Sequence, residues 1–467
     1  MKAKTLYLIA ILFTILCSLF TPSAMAQGVR DLIQQHPSYA SCNYHTYPDT
    51  ITAVLTPAPA GKKPFYISHY GRHGSRYINS RSGYDIPYRM MEQADSLDEL
   101  TPAGQQVFNY MDNIMRDTEG RWGELTGYGK QQLQNIGRRM VQNFPEVLCP
   151  GARVTAVSTI VPRCIESMGS FTMEMLQVCP QLQITMEASK RNQWYLNYQD
   201  RKLRKNYMTP EAQKAYDAYT ASRLGNTRLM EVIFKNPDIV KEIVDEEYFN
   251  YYLMKMGLFQ LNTNYNRETH IMSLFNIDDL YRMWQIDNAL WYIQHGACEL
   301  NGGRQPYSQR YLLKKLITDA DSCIQLEKPG AQLRFGHETV LFPLVCLMGI
   351  NGFDLETDNL EELEEKGWWC SNVFPMGSNL QAIFYRTDKN DPDVLVKFLL
   401  NEEEASLPVP TDCAPYYHWK DVRQYCLDKL ERYKKNSNNI AITKTHRYET
   451  NKTINLRTHS PHVLCGL

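Results

Sequence analysis

Strong charge of either sign is missing from this chain. Fifty Lys and Arg stand against 51 Asp and Glu, a formal net charge of -1. No global field therefore draws it to nucleic acid or to an anionic membrane, and any affinity for an anion has to be built locally. CxxC pairs are missing among the 12 cysteines, which removes the spacing of the commonest structural zinc sites. Beyond residue 26 no apolar run reaches the roughly 20 residues that a membrane helix needs. No internal repeat is present.

What is there suits a soluble globular protein. Hydrophobic residues make up 43% and charged residues 22% of 467 residues, enough for a sizeable core and two or three domains. The first 26 residues predict a secretory signal. Lys2 and Lys4 precede an apolar run over 6–20, and Ala24-Met25-Ala26 offers a small-x-small cleavage site. Cleavage after Ala26 implies a secreted or periplasmic protein, and it takes the formal charge to -3 by removing two lysines. Such a compartment is oxidising, so disulfides persist there. Once Cys17 has left, 11 cysteines remain. An odd number leaves at least one unpaired within the chain, and the connectivity stays open.

Residues 27–60 are expected to be loop-rich, because Pro37, Pro48, Pro57 and Pro59 interrupt them. Strands are expected over 65–69, 152–159, 331–337 and 380–386, with a strand or hairpin over 393–405. Helices are expected after Thr126, as cap, and from Pro162, which suits an early helical position. Leu133, Ile136, Met140 and Phe144 recur at helical spacing and predict a core-facing stripe. Further helices are expected after Glu338 and over 419–433. Between 167 and 315 the texture becomes rich in Lys, Glu, Tyr, Asn and Met, with few strand signals. The expectation is an α/β protein: a central sheet flanked by helices (27–166 and 316–434) with an inserted, mainly α-helical cap domain (167–315). Residues 435–467, with little to bury, are expected to form a disordered tail.

The chemistry concentrates in the stretch YISHYGRHGSRY, residues 66–77. Arg72 and Arg76 are permanently charged forks matched to phosphate oxygens. His73 stands between them as a potential nucleophile, and Gly74 leaves room for close approach. Charge developing on a phosphoryl group calls for more cations, and a leaving alkoxide needs a proton. Arg163 follows the second expected strand; His337 and Glu338 follow another. Strand ends that open into helix starts are where α/β sheets place ligands. His69 reads as a structural strand residue. His270 and His295 have no partners at a recognisable spacing. The pairs Lys62-Lys63 and Lys190-Arg191 read as solvated faces.

Taken together these residues resemble the histidine acid phosphatases, the second branch of the histidine phosphatase superfamily. RHGxR appears as Arg72-His73-Gly74-Ser75-Arg76, and LTxxGxxQ as Leu125 to Gln132. The second arginine appears as Arg163, and the late motif as Gly336-His337-Glu338-Thr339. The resemblance implies that His73 accepts the phosphoryl group and that Glu338 protonates the leaving alcohol. It implies that Arg72, Arg76, Arg163 and His337 hold the phosphate, and that neither cofactor nor metal takes part. The substrate implied is a small-molecule phosphomonoester. Two departures stand out. The late motif has Glu directly after His, where the family has His-Asp or His-Ala-Glu. Tyr77 replaces a frequent proline. The Glu and the Tyr-rich α block look most similar to the multiple inositol polyphosphate phosphatases, which implies a phytate-like substrate. A broad-specificity acid or sugar phosphatase and a catalytically silent phosphate-binding protein are the alternatives.

Overall fold

The computed structural model describes residues 28–448, apart from 150, 199, 224–227, 243 and 264–270. The signal expected over 1–26, most of the tail and His270 lie outside the described residues.

The chain opens with helix α1 (Val29–Gln35) and a 3-10 segment (Pro37–Tyr44). This corrects the loop-rich expectation for 27–60. Val29 and Ile33, four residues apart, both reach full burial, and that apolar pair anchors the turn despite Pro37. Strand β1 (Lys63–Arg72) follows. Helices α2 (Ser82–Ser96) and α3 (Pro102–Thr118) come next, then α4 (Gly127–Asn143). Thr126 caps α4, its side chain accepting from the Gly129 amide at 3.0 Å. Leu133, Ile136 and Met140 on that helix, with Phe144 just past it, are all buried.

Strand β2 (Arg153–Ser158) leads into α5 (Pro162–Val178) and then β3 (Gln183–Ala188). The strand β3 lies inside the stretch expected to be a helical insertion. It pairs in parallel with β2, Arg153 opposite Gln183, so the sheet region extends past residue 167. Its alternation of Ile184, Met186 and Ala188 carried the strand signal. The helices that follow include α6 (Pro210–Ala221), α7 (Glu246–Gln260), α8 (Ile277–His295) and α9 (Arg310–Ile324). They do not form the helical block alone. Helix α2 packs on α7, and the Thr101 hydroxyl ahead of α3 donates to the Val232 carbonyl at 2.6 Å. The block thus draws on two separate stretches of sequence, because the apolar faces of α2 and α3 find their cover there.

The chain returns to the sheet with β4 (Gly330–Gly336), followed by α10 (Glu338–Met348). Then come β5 (Asn379–Arg386), β6 (Leu395–Leu400), β7 (Glu403–Ala405), β8 (Tyr416–His418) and α11 (Trp419–Tyr448). The last helix runs past residue 435, where a disordered tail was expected. No proline or glycine interrupts it.

The eight-stranded sheet runs β8-β6-β5-β1-β4-β2-β3, with β7 paired to β6. β1, β4, β2 and β3 are mutually parallel, and the other half is antiparallel. Cys149 and Cys179 form a disulfide that ties the approach to β2 to the end of α5. Eight other described cysteines are free. Among the described residues no helix is long and apolar enough to cross a membrane.

Candidate active site

The parallel pairing aligns three strand ends. Arg72 pairs with Gly336 at the end of β1 and β4, and Ser158 pairs with Phe335 at the end of β2. The residues just beyond these ends therefore converge, although His73 and His337 are far apart in the chain. His73 and His337 rings lie 5.7 Å apart, edge to face. Glu338 opens α10, its Oε2 3.1 Å from Arg72 Nε and 3.6 Å from His73 Nε2.

The loop after β1 is held by backbone. The His73 amide donates to the Gly336 carbonyl at 3.1 Å, and the Gly377 amide donates to the His73 carbonyl at 2.9 Å. Ser75 is clamped from a different side. Its amide donates to Gln132 Oε1 at 2.9 Å, and its carbonyl accepts from the Thr126 amide at 2.9 Å. The two glycines of this contact face each other with no space between them. A Cβ on Gly74 would stand 2.3 Å from the Gly129 carbonyl oxygen, and one on Gly129 would stand 2.1 Å from the Ser75 carbonyl oxygen. The segment Leu125 to Gln132 is thus a brace for the RHGxR loop, which is why its Thr, Gly and Gln fall at those positions.

Arg72 is wholly buried. It spends Nε on Glu338 and Nη1 on the carbonyls of Asn43 and Phe374, at 2.6 and 2.7 Å. Its Nη2 has no partner. Arg76 reaches the Tyr44 hydroxyl at 3.2 Å and leaves Nε unpartnered. Arg163 Nε and His73 Nε2 are unpartnered too. Buried nitrogens of this kind are almost always satisfied. Three of the four are guanidinium donors, and three unmet donors in one place are the signature of a ligand rich in acceptors.

Three guanidinium charges against one carboxylate leave a surplus of +2 in this space. Burial is the chief force on each group. It pulls Arg72 down to about 10, with Glu338 opposing. It drives His73 well below its ordinary value, aided by Arg163 and Arg72 against the pull of Glu338. It brings His337 down to about 4. For Glu338 burial pushes upward, but Arg72, His73 and Arg76 outweigh it and hold the carboxyl well below its usual range. The Nδ1 atom of His73 lies 2.9 Å from the Gly74 carbonyl. A carbonyl only accepts, so Nδ1 carries the hydrogen and Nε2 keeps its lone pair.

All the residues predicted from sequence thus meet at one place: Arg72, His73, Arg76, Arg163, His337 and Glu338. Sequence reasoning missed their supports. Tyr44 sits against Arg76, its ring 5.1 Å from the guanidinium. Thr159 Oγ1 lies 3.3 Å from His337 Nε2. Asn262, fully buried, joins three segments: Oδ1 accepts from Ser75 Oγ at 2.7 Å, Nδ2 donates to the Tyr44 carbonyl at 2.7 Å, and its own carbonyl accepts from Thr126 Oγ1 at 2.9 Å. No motif marks Tyr44 or Asn262. His69 is buried on β1 between Phe171 and Phe335, 5.5 and 5.3 Å away. His295 stacks on Trp291 at 4.9 Å. Lys62 pairs with Asp391 at 2.9 Å, and Arg191 with Glu187 at 3.3 Å.

His73, His337 and Glu338 offer ligand atoms within 4.8 Å of one another. The +2 surplus around them opposes a cation and favours an anion.

A profile of the histidine phosphatase superfamily (branch 2) matches residues 71–401. The chain belongs to that family. Its fold is similar to that of the Bifidobacterium longum multiple inositol polyphosphate phosphatase. For the complex of that protein with inositol hexasulfate the TM-score is 0.68 at 18% identity, covering 83% of this chain and 97% of that one. Its apo form gives a TM-score of 0.70 at 18% identity, with 83% and 96% covered. The phytase from D. castellii is similar with a TM-score of 0.62 at 12% identity, over 85% of this chain and 86% of that one. No curated protein sequence matches.

Proposed function

We propose that the chain is an exported phosphomonoesterase that hydrolyses inositol polyphosphates through a phosphohistidine. The observation that carries the chemistry is the set of four unpartnered buried nitrogens around Glu338. The substrate class rests on Glu in the acid position and on the fold's likeness to an inositol polyphosphate phosphatase.

The phosphoryl oxygens take the free donors of Arg72, Arg76 and Arg163, with neutral His337 completing the ring. The positive end of α10 adds to the field. The lone pair of His73 Nε2 attacks phosphorus in line with the ester oxygen. Burial keeps His73 neutral across the acidic range, so its nucleophilicity does not require high pH. Glu338 gives its proton to the leaving alcohol, then takes one from the water that cleaves the P–N bond and releases phosphate.

Arg72, first among its neighbours, holds Glu338 ionised. A bound phosphate dianion cancels that guanidinium field, so the carboxyl pKa rises and a proton enters with the anion. The sign follows: affinity for the dianion is highest at low pH and weakens, by up to tenfold per pH unit, as pH climbs past the free-site pKa.

The test is phosphate release from phytate, and from a simple sugar phosphate, by the mature chain in EDTA, with alkaline-quench trapping of labelled His73, since a phosphohistidine is cleaved by acid and survives base. A label absent from His73→Ala and release from phytate sustain the reading. Equal release from both substrates favours the broad-specificity phosphatase. Phosphate binding without any release means a silent binding protein.

A further inference from the structure

Far from the phosphate site, a second group of ligand atoms converges. Asp412, Cys413 and His418 each offer one donor atom, and the three atoms lie within 4.8 Å of one another. The geometry points to a zinc-class divalent metal site formed by Asp412, Cys413 and His418, with Asp393 orienting the imidazole. The sequence, lacking CxxC, predicted no metal; this set has the form Asp-Cys-x4-His and escapes that pattern.

The set is imidazole nitrogen, thiol sulfur and carboxylate oxygen, the ligands zinc uses in tetrahedral sites, with water left for the fourth position. With bonds of about 2.0–2.3 Å the ligand atoms of such a site stand roughly 3–4 Å apart, so small side-chain rotations complete it. His418 Nδ1 lies 2.5 Å from Asp393 Oδ1, and its Nε2 lies 3.0 Å from Asp412 Oδ1. The first contact is the carboxylate–histidine pairing that fixes a ligand imidazole's tautomer and leaves Nε2 facing the metal.

The ligands are also held in place. His418 ends β8 opposite Leu395 of β6, which sets Asp393 just before that strand. The Cys413 amide donates to Thr411 Oγ1 at 3.3 Å, and the Tyr416 amide donates to the Cys413 carbonyl at 2.9 Å. Cys413 is the one free cysteine among the described residues that is not buried, so a metal can reach it. Asp393, Asp412 and a Cys413 thiolate bring three negative charges. Lys62 lies 3.7 Å from Asp393 but pairs more closely with Asp391, at 2.9 Å, so its charge is shared. The net negative charge around the cluster favours a divalent cation. Bound there, the metal pins the loop ahead of β8 to the start of α11, away from the phosphate site.

Cobalt(II) reports on this site directly. The full mature chain, kept reduced without a competing thiol, is titrated with Co2+ and followed by absorbance. The expected result is one ion per chain with a thiolate-to-cobalt charge-transfer band that excess Zn2+ abolishes. Cys413→Ser and His418→Gln remove the band. Asp393→Asn keeps it but weakens binding 10- to 100-fold, the range typical of lost outer-shell partners. Both phosphate release and near-ultraviolet circular dichroism stay unchanged. No band with excess Co2+, or a band that survives Cys413→Ser, overturns the proposal; so does one that disappears only with His337→Gln. Should Cys413→Ser fail to fold, alkylation of the wild-type chain decides: Zn2+ protects Cys413 from iodoacetamide, or the site does not exist. These readouts do not depend on the phosphatase reading.

Discussion

Two clusters in this molecule share residue types and differ in everything around them. His73, His337 and Glu338 are buried among three arginines. Asp412, Cys413 and His418 lie near the surface with a further carboxylate beside them. The first cluster is surrounded by positive charge and unpartnered donors, the second by negative charge and acceptors. Histidine plus carboxylate therefore does not by itself name a ligand. The sign of the surrounding field and the count of unsatisfied donors do. At the strand ends the field selects an anion; at the end of β8 it selects a cation.

The largest effect that would sharpen this contrast is at His73. His73→Ala is expected to cut phosphate release at least about 10^4-fold, in line with nucleophile deletions elsewhere, while leaving Co2+ binding at Cys413 intact. Steady-state release measured beside the cobalt spectrum checks both halves. Arg72→Ala comes next. It strands the buried Glu338 carboxylate, and losing one partner of a buried pair costs about 3–5 kcal/mol. A lowered denaturation midpoint together with lost phosphate affinity is expected; a fully stable variant would show that the Arg72–Glu338 pair is not what sustains the buried carboxylate.

Glu338→Gln keeps the shape and removes the proton. Turnover of phytate is expected to fall about 10^2- to 10^4-fold. Turnover of an aryl phosphate, whose leaving group needs no proton, falls far less. Binding of inorganic phosphate then keeps only the pH dependence of the phosphate's own second ionisation, because the side chain that gained a proton on binding is gone. Isothermal titration at several pH values in two buffers of different ionisation heat measures that proton directly. Tyr44→Phe has the smallest expected effect. It removes one hydrogen bond to Arg76, and about 0.5–1.5 kcal/mol corresponds to a several-fold rise in KM for phytate with kcat nearly unchanged.

Much of the phosphate site was legible in the chain because each of its motifs does local work. RHGxR needs a strand end, Thr126 needs a helix start, and Pro162 needs the first turn of α5. These are short-range requirements, and short-range patterns print themselves on sequence. β3 was printed as well, in the alternation of Ile184, Met186 and Ala188, but the helical texture on either side masked it. The two-part helical block was not printed at all. Nothing in α2 or α3 says that their apolar faces meet α7 and the segment Leu229–Ile233 rather than the sheet, since burial of an amphipathic face records that a partner exists and not which one.

Sequence alone supplied the residue set of the proposed phosphate site: fixed cations, an imidazole and a carboxyl, at strand ends of an α/β fold. Tertiary structure alone decided the rest. It placed Tyr44 and Asn262 against the loop, braced Gly74 on Gly129, and held Glu338 ionised beside Arg72. It also brought Asp393 from the far side of a strand pair to His418. The physical reason is range. Side-chain chemistry belongs to a residue wherever it sits, whereas charge balance, burial and hydrogen-bond satisfaction depend on neighbours that only folding supplies.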